Sequence, residues 1–218
     1  IRFNARCLAA KATASRVTLE LENQNVPFSA DLVLACDGVR SAVRDNTGVK
    51  VRRREAGEAY LRCVADIVHP TPDRIGEYWN IDGRRAGAFP LTQKRTYVFC
   101  SVPLGHWKQI LATDLDRWIR SWDDFGEPVT SLVRAIDWNA AVYDELADVR
   151  VDRWYRDRVV LVGDAAHAMT PNLGQGANSA MTDALVLINL LKPANGDWMR
   201  AAARYEKIRK PFVTRIQD

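Results

Sequence analysis

Asp164 follows the aliphatic run Val159-Val160-Leu161-Val162 and a single glycine, Gly163. An unbroken β-branched and aliphatic run suits a strand covered on both faces, as in a parallel sheet flanked by helices. A carboxylate at the carboxyl end of such a strand lies where open α/β sheets take ligands, and it can accept hydrogen bonds from sugar or sugar-alcohol hydroxyls. Ala165, Ala166 and Ala168 leave room beside it for something bulky. Pro171 and then Asn172-Leu173-Gly174-Gln175-Gly176 lead into an apolar helical pattern through Ala180, Ala184, Ile188 and Leu191, stopped by Pro193. The first turn of that helix offers unpaired N–H groups beside glycines that let a ligand approach the main chain. With roughly half a positive charge at its tip, it suits a planar or phosphate-bearing group of partly negative character. A glycine-rich loop before a buried helix can also be tight packing; the ordered set of strand, Gly-Asp, small residues, proline and Gly-x-Gly is the more specific signal.

The same arrangement occurs once more. Asp31 to Cys36 reads as a second buried strand, and it delivers Asp37-Gly38 at its end. Val39 to Arg44 then begins a helix with Ser41 near its start, so Asp37 is either a ligand group or a helix cap. Before it, alternation at Ile1, Phe3, Ala5 and Cys7 predicts a half-buried strand from the first residue. Val17 to Leu21 and Val26-Pro27-Phe28 add two more, a small β-meander.

The middle of the chain reads as strands from Ala59 to Pro103, with Asp82-Gly83 as a hairpin turn. Tyr78, Trp79 and Tyr97 line a substrate pocket or pack against helices. Leu111, Leu115, Trp118, Ile119 and Trp122 predict an amphipathic helix entered by a Thr113-x-x-Asp116 capping box. Gly126 ends it, and Pro128 starts another through Leu132, Val133 and Ile136. Val142 to Tyr155 returns to the sheet, and Ala201 to Arg209 is a closing helix interrupted by Pro211.

GDAAHAMTPNLGQGANSAMTDA resembles the flavin-binding Gly-Asp segment of the FAD-dependent aromatic hydroxylases, the single-component flavoprotein monooxygenases typified by p-hydroxybenzoate hydroxylase. DLVLACDGVRSAVR resembles that family's Asp-Gly fingerprint, with Cys36 where alanine is more usual. The resemblance implies that Gly163 and Asp164 meet the ribityl chain of FAD and that Pro171 borders the flavin ring. Backbone groups of Gly174, Gln175 and Gly176 would meet its pyrimidine edge. Asp37, Gly38 and Arg44 would face the FAD pyrophosphate and the nicotinamide cofactor. A helix tip suits the negative charge of a reduced flavin.

The implied fold is α/β of mixed α+β content. Residues 1–58 would be part of the FAD-binding domain, 59–145 an inserted antiparallel substrate-domain sheet, and 146–218 the return to the FAD-binding domain. The implied activity is monooxygenation: NADH or NADPH reduces FAD, O₂ adds as a flavin C4a-hydroperoxide, and oxygen passes to a small aromatic or related electron-rich substrate. The family's G-x-G-x-x-G unit for the ADP half of FAD does not occur, and only 36 residues precede Asp37. The expectation is therefore a fragment, inactive alone, whose partner is the missing N-terminal ADP-binding unit. A reductase or halogenase on the same scaffold, or a flavin-free regulatory module, are the alternatives; Trp79 is followed by Asn80-Ile81-Asp82, which lacks the halogenase Trp-x-Trp-x-Ile-Pro.

Composition adds limits. Of 218 residues, 47% are hydrophobic and 27% charged, and the net charge of +4 is spread among 31 basic and 27 acidic side chains. This is ordinary for a globular chain and argues against a nucleic-acid surface. Arg52-Arg53-Arg54 reads as a solvated turn. Cys7, Cys36, Cys63 and Cys100 are scattered and read as buried free thiols of a reducing compartment. No apolar run approaches the ~20 residues of a membrane helix, so a cytoplasmic location is expected. His69, His106 and His167 suggest no metal site; His167 reads as a structural hydrogen bonder, His69 as a turn residue. No nucleophile elbow occurs, and no catalytic acid or base is assigned.

Overall fold

A computed structural model describes residues 1–24, 26–70, 73, 75–92 and 94–218. In chain order the elements begin with β1 (Cys7–Ala12), β2 (Val17–Leu21), β3 (Phe28–Ala30), β4 (Val33–Ala35) and α1 (Ala42–Thr47). They continue with β5 (Val51–Ala65), β6 (Gly76–Trp79), β7 (Arg85–Thr92), β8 (Arg95–Pro103), α2 (Trp107–Gln109), a π-helical turn (Ile110–Asp114), α3 (Leu115–Arg120) and α4 (Val129–Arg134). The chain closes with β9 (Val142–Val151), β10 (Tyr155–Arg156), β11 (Val159–Leu161), α5 (Asp164–His167), α6 (Gly176–Leu191) and α7 (Trp198–Gln217). Internal contacts divide it into two units, Ile1–Arg54 with Ala147–Asp218, and Glu55–Leu146. The class is mixed α/β.

In the first unit β1, β2 and β3 form an antiparallel meander. The strand expected from Ile1 begins only at Cys7; Asn4 takes a left-handed φ of 54° that breaks the extended path, and Ile1 and Phe3 are exposed. A second sheet has the order β10-β11-β4, with β11 and β4 parallel in the register Val159↔Val33, Val160↔Leu34 and Leu161↔Ala35. The aliphatic run from Val159 to Val162 is buried throughout. Its neighbour β4 is less so: Val33 and Ala35 are buried but Leu34 is exposed, so this strand is covered on one face only among the described residues.

Helix α6 is rotated from the face its apolar residues suggest. Ser179, Asp183 and Leu187 point inward, whereas Ala184 and Ile188 are exposed. The reason is a buried carboxylate with strong donors on either side, described below. Helix α7 also departs from expectation, running through Pro211 to Gln217. A proline removes one helical N–H, and the buried anchors Arg209 and Val213 hold the helix on either side of it.

The second unit is a sheet of order β6-β7-β8-β5-β9. Tight register alternation gives it two different faces. Ala59, Leu61, Ala88, Val98 and Cys100 form a core with the helices, where Trp118 and Trp138 meet edge-on at 4.7 Å. Tyr60, Phe99 and Leu146 form a separate cluster with Phe89 and Tyr97 on the other face. Tyr78 belongs to the helix-side core and Tyr97 to the other cluster, so the three aromatics read together from sequence are split. Thr113 does not cap a helix: its hydroxyl donates to Gln109 O at 2.9 Å, because the helix has already started at Trp107. Arg52, Arg53 and Arg54 lie in β5 and not in a turn, with exposed side chains. Among the cysteines only Cys100 is buried; Cys36 is exposed, and all four are free.

Candidate functional site

Because β4 and β11 are parallel neighbours, Asp37-Gly38 and Gly163-Asp164 leave the sheet at the same edge. Val162 N–H donates to Ala35 O at 3.0 Å, extending the pairing to the start of both turns. Asp37 spends both oxygens on the following helix: Ser41 Oγ donates to Oδ1 at 2.5 Å and Val43 N–H to Oδ2 at 3.0 Å. Ser41 in turn caps α1 by accepting from Arg44 N–H at 2.9 Å. Arg44 is buried, and its Nη1 donates to Val39 O at 3.1 Å and to Ala165 O at 3.3 Å. One guanidinium thus fastens the Asp-Gly turn to the Gly-Asp turn.

Gly163 has φ 59° and ψ −137°, a conformation that a side chain resists. A Cβ there would also lie 2.9 Å from the Ala180 Cβ of α6. This glycine is required twice, for the sharp turn and for close packing of the helix. The turn leaves Asp164 at the start of α5 with an exposed carboxylate that takes no hydrogen-bond or ion-pair partner among the described residues. Ala166 and His167 N–H groups close α5 onto Gly163 O at 2.8 and 3.0 Å.

Pro171 to Leu173 form a short 3₁₀ turn ended by Gly174 in the left-handed region, φ 60°. No side chain caps α6, which begins at Gly176 after Gln175. Its first N–H groups, the turn from Pro171 to Gly174 and the carboxylate of Asp164 lie within one stretch, from Gly163 to Gly176, in which Asp164 and residues 171–174 are exposed. Gly174 has open space around its absent Cβ.

Behind this stretch lies a buried polar cluster that sequence reasoning missed. Asp183 is fully buried; Arg209 Nε donates to its Oδ1 at 2.7 Å, and Oδ2 meets His167 Nε2 at 2.5 Å and the Gly163 N–H at 3.3 Å. Burial alone would push the Asp183 carboxyl up, but the His167 hydrogen bond and the Arg209 guanidinium outweigh it and hold the carboxyl below its ordinary range. The far end of the loop has a second buried carboxylate, Asp148, which accepts from Thr170 N–H at 3.1 Å and pairs with Arg54 at 3.0 Å. Gln217 of α7 donates to Val149 O and Ala168 O at 3.0 and 2.9 Å. The available signal was polar residues falling on the inward face of otherwise apolar helices: Ser179 and Asp183 at i and i+4, and Arg209 four residues after buried Tyr205.

In the second unit the face bearing Tyr60 also carries Arg85, whose guanidinium lies over the rings of Trp79 at 3.9 Å and Tyr60 at 5.4 Å. Glu58 and Glu77 are 3.9 and 3.6 Å from it. Tyr60 and Phe99 stack at 4.9 Å, and Gly87 leaves the space that the Phe99 ring fills. The Tyr60 hydroxyl is buried without a hydrogen-bond partner, and burial with the nearby Glu58 charge pushes its pKa up to about 12. His69, expected in a turn, is buried with Nε2 3.1 Å from Ala88 O. No group of metal-ligating side chains occurs among the described residues.

A family model described as FAD binding domain matches residues 1–218. The FAD-dependent urate hydroxylase of Klebsiella pneumoniae is 31% identical over 227 residues, covering 100% of this chain and 56% of its own. The 2-heptyl-3-hydroxy-4(1H)-quinolone synthase of Pseudomonas aeruginosa is 32% identical over 181 residues, 80% of this chain and 46% of its own. Among solved structures, Klebsiella pneumoniae HpxO complexed with FAD and uric acid has a TM-score of 0.82 at 30% identity, with 98% of this chain and 55% of that one covered. Tetrameric 2-methyl-3-hydroxypyridine-5-carboxylic acid oxygenase has a TM-score of 0.79 at 29% identity, covering 98% and 58%. The chain spans about half the length of the curated relatives it matches. Matched end to end by that model, with a urate hydroxylase and other FAD-dependent monooxygenases as relatives, the chain belongs to the FAD binding domain family.

Proposed function

We propose that this chain is the flavin-holding and substrate-facing part of an FAD-dependent monooxygenase that uses NADH or NADPH and O₂ to hydroxylate a small aromatic or related electron-rich substrate. The observation that carries the reading is the parallel pairing of β4 with β11, which brings two Asp/Gly turns to one sheet edge, tied together by Arg44. Bound FAD supplies the redox chemistry, accepting electrons from the nicotinamide cofactor and activating O₂.

The residues present suit that cofactor. Asp164, exposed and unpartnered among the described residues, accepts from ribityl hydroxyls. The uncapped first turn of α6 stabilises negative charge at the pyrimidine edge through its N–H groups and dipole, with Gly174, Gln175 and Gly176 as the contacting backbone. Pro171 borders the ring. Asp37 and Gly38 face the pyrophosphate, while Arg44, buried behind them, braces the turn. On the sheet of the second unit, the half-buried rings of Phe89 and Tyr97, backed by buried Tyr60 and Phe99, offer an apolar surface for an aromatic ring.

Further sequence belongs to the working enzyme in this reading. Met181, Leu185 and Ile188 lie on one side of α6 with 60%, 64% and 46% exposure, and β4 ends its sheet. An N-terminal ADP-binding unit would cover that apolar side. No helix among the described residues is long and apolar enough to cross a membrane, and four free thiols fit a cytoplasmic setting.

The test uses the full-length protein. It should purify with FAD or take it up one to one, and an aromatic substrate should accelerate its NADH or NADPH oxidation with matching O₂ consumption. Asp164→Ala should lower the flavin-to-protein ratio. A protein that takes up no FAD, or an Asp164→Ala variant with an unchanged ratio, would overturn the respective assignment.

A further inference from the structure

The turn that presents Asp164 is not held by its own strand and helix alone. Gly163 takes a conformation that other residues resist, and its N–H is held by a group from outside the turn. That N–H is 3.3 Å from Asp183 Oδ2, on α6. The same oxygen meets His167 Nε2 at 2.5 Å, and His167 is the last residue of the short helix that Asp164 begins. The other oxygen takes Arg209 Nε at 2.7 Å, and Arg209 Nη2 donates to Ser179 O at 3.4 Å. One carboxylate therefore ties the turn, α5, α6 and α7 at a single buried point.

The proton positions follow from this geometry. An ionised carboxylate can only accept, so Nε2 of His167 carries a proton. Nδ1 is buried and has no hydrogen-bond partner among the described residues, while the ring lies 4.7 Å from that of Trp154. A proton on Nδ1 would be a bare buried donor, which is costlier than a bare lone pair. The arrangement favours a proton on Nε2 over one on Nδ1.

We infer that Asp183, with His167 and Arg209, is the positioning group of the flavin site: it fixes the Gly163 turn and the rotation of α5, and so aims the Asp164 carboxylate at the cofactor. This rests on the assignment of Asp164 as a flavin contact. None of the three touches the cofactor in this reading; they act through the turn.

The test compares FAD affinity with the stability of the FAD-free protein, in full-length Asp183→Asn, His167→Gln, Leu187→Ala and Asp164→Ala. Leu187 is buried on the same inward face of α6, one turn further along, and serves as a packing control. Asp183→Asn and His167→Gln should weaken FAD binding about tenfold, the effect of one misplaced charge-assisted hydrogen bond. Leu187→Ala should lower the unfolding midpoint at least as much and leave FAD affinity within about twofold. If Leu187→Ala weakens FAD as much as Asp183→Asn does, the cluster is merely structural and the inference fails. Should Asp183→Asn not fold, His167→Gln against Leu187→Ala decides in the same way. Unchanged binding in Asp164→Ala would remove the underlying site assignment; a loss there with normal binding in both cluster variants would remove this inference alone.

Discussion

Asp183 owes its low ionisation range to two neighbours and not to water, and this makes it a source of pH-dependent stability. Its folded carboxyl titrates below the unfolded value of about 3.9. Its contribution is therefore complete above that value and is lost as pH falls through the folded range. The stability gap between wild type and Asp183→Asn, about 3 kcal/mol near neutrality for a broken buried pair, should shrink as the solution is acidified below pH ~4. Urea unfolding at several pH values measures it, and a gap that widens on acidification would contradict the assignment. A second outcome concerns the imidazole: nitrogen NMR of labelled histidine should show the proton of His167 on Nε2. Gly163-Asp164 and Gly174 to Gly176 stand out in the sequence because they are an ordered local pattern, and the structure places them at the two glycine turns before α5 and α6. Sequence reasoning missed Asp183, Asp148 and Gln217 because their roles depend on partners 16 to 94 positions away. It did read His167 as a hydrogen bonder, which the 2.5 Å contact bears out.

Elements show where local pattern suffices and where tertiary contact overrides it. The run from Val159 to Val162 is buried throughout and forms strand β11 over Val159–Leu161, since burying its aliphatic side chains removes apolar surface from water. The face of α6 could not be read in the same way: counting apolar residues points to Ala184 and Ile188, yet two donors draw Asp183 inward and turn those residues out. The two glycines at the ends of the loop should respond differently to a methyl group. Gly163→Ala adds a clash with Ala180 to the left-handed penalty and should cost about 3 kcal/mol. Gly174→Ala meets open space and should cost only about 1 kcal/mol. Chemical denaturation of the two variants checks the ranking, and equal losses would argue that Ala180 moves aside without cost. The amphipathic pattern from Leu111 to Trp122 did form helix, but its start lies several residues earlier, because Trp107 is buried in the core with Trp118 and Trp138.

At the scale of the molecule, the apolar side of α6 makes a prediction with opposite signs in two contexts. Leu185→Glu should improve the solubility of the 218-residue chain by itself, since the side chain is 64% exposed there. In the full-length protein the same change should lower the unfolding midpoint, if further sequence covers that side. Light scattering and calorimetry read the two effects; an unchanged midpoint in the full-length protein would mean that the stripe stays bare. The strand-rich middle and its flanking segments were legible because their hydrophobic periods differ, two against near-continuous runs. The points of division were less so: residues 58/59 and 145/146 were expected, whereas contacts separate Arg54 from Glu55 and Leu146 from Ala147. Both crossings fall inside long strands, β5 and β9, which change unit without a turn to mark it. Those two strands are neighbours in one sheet, so the entire aromatic-bearing sheet and its helices are entered and left side by side. The segment from Glu55 to Leu146 thus has its two ends on neighbouring strands, the geometry that lets one folded unit be inserted into another without pulling its termini apart.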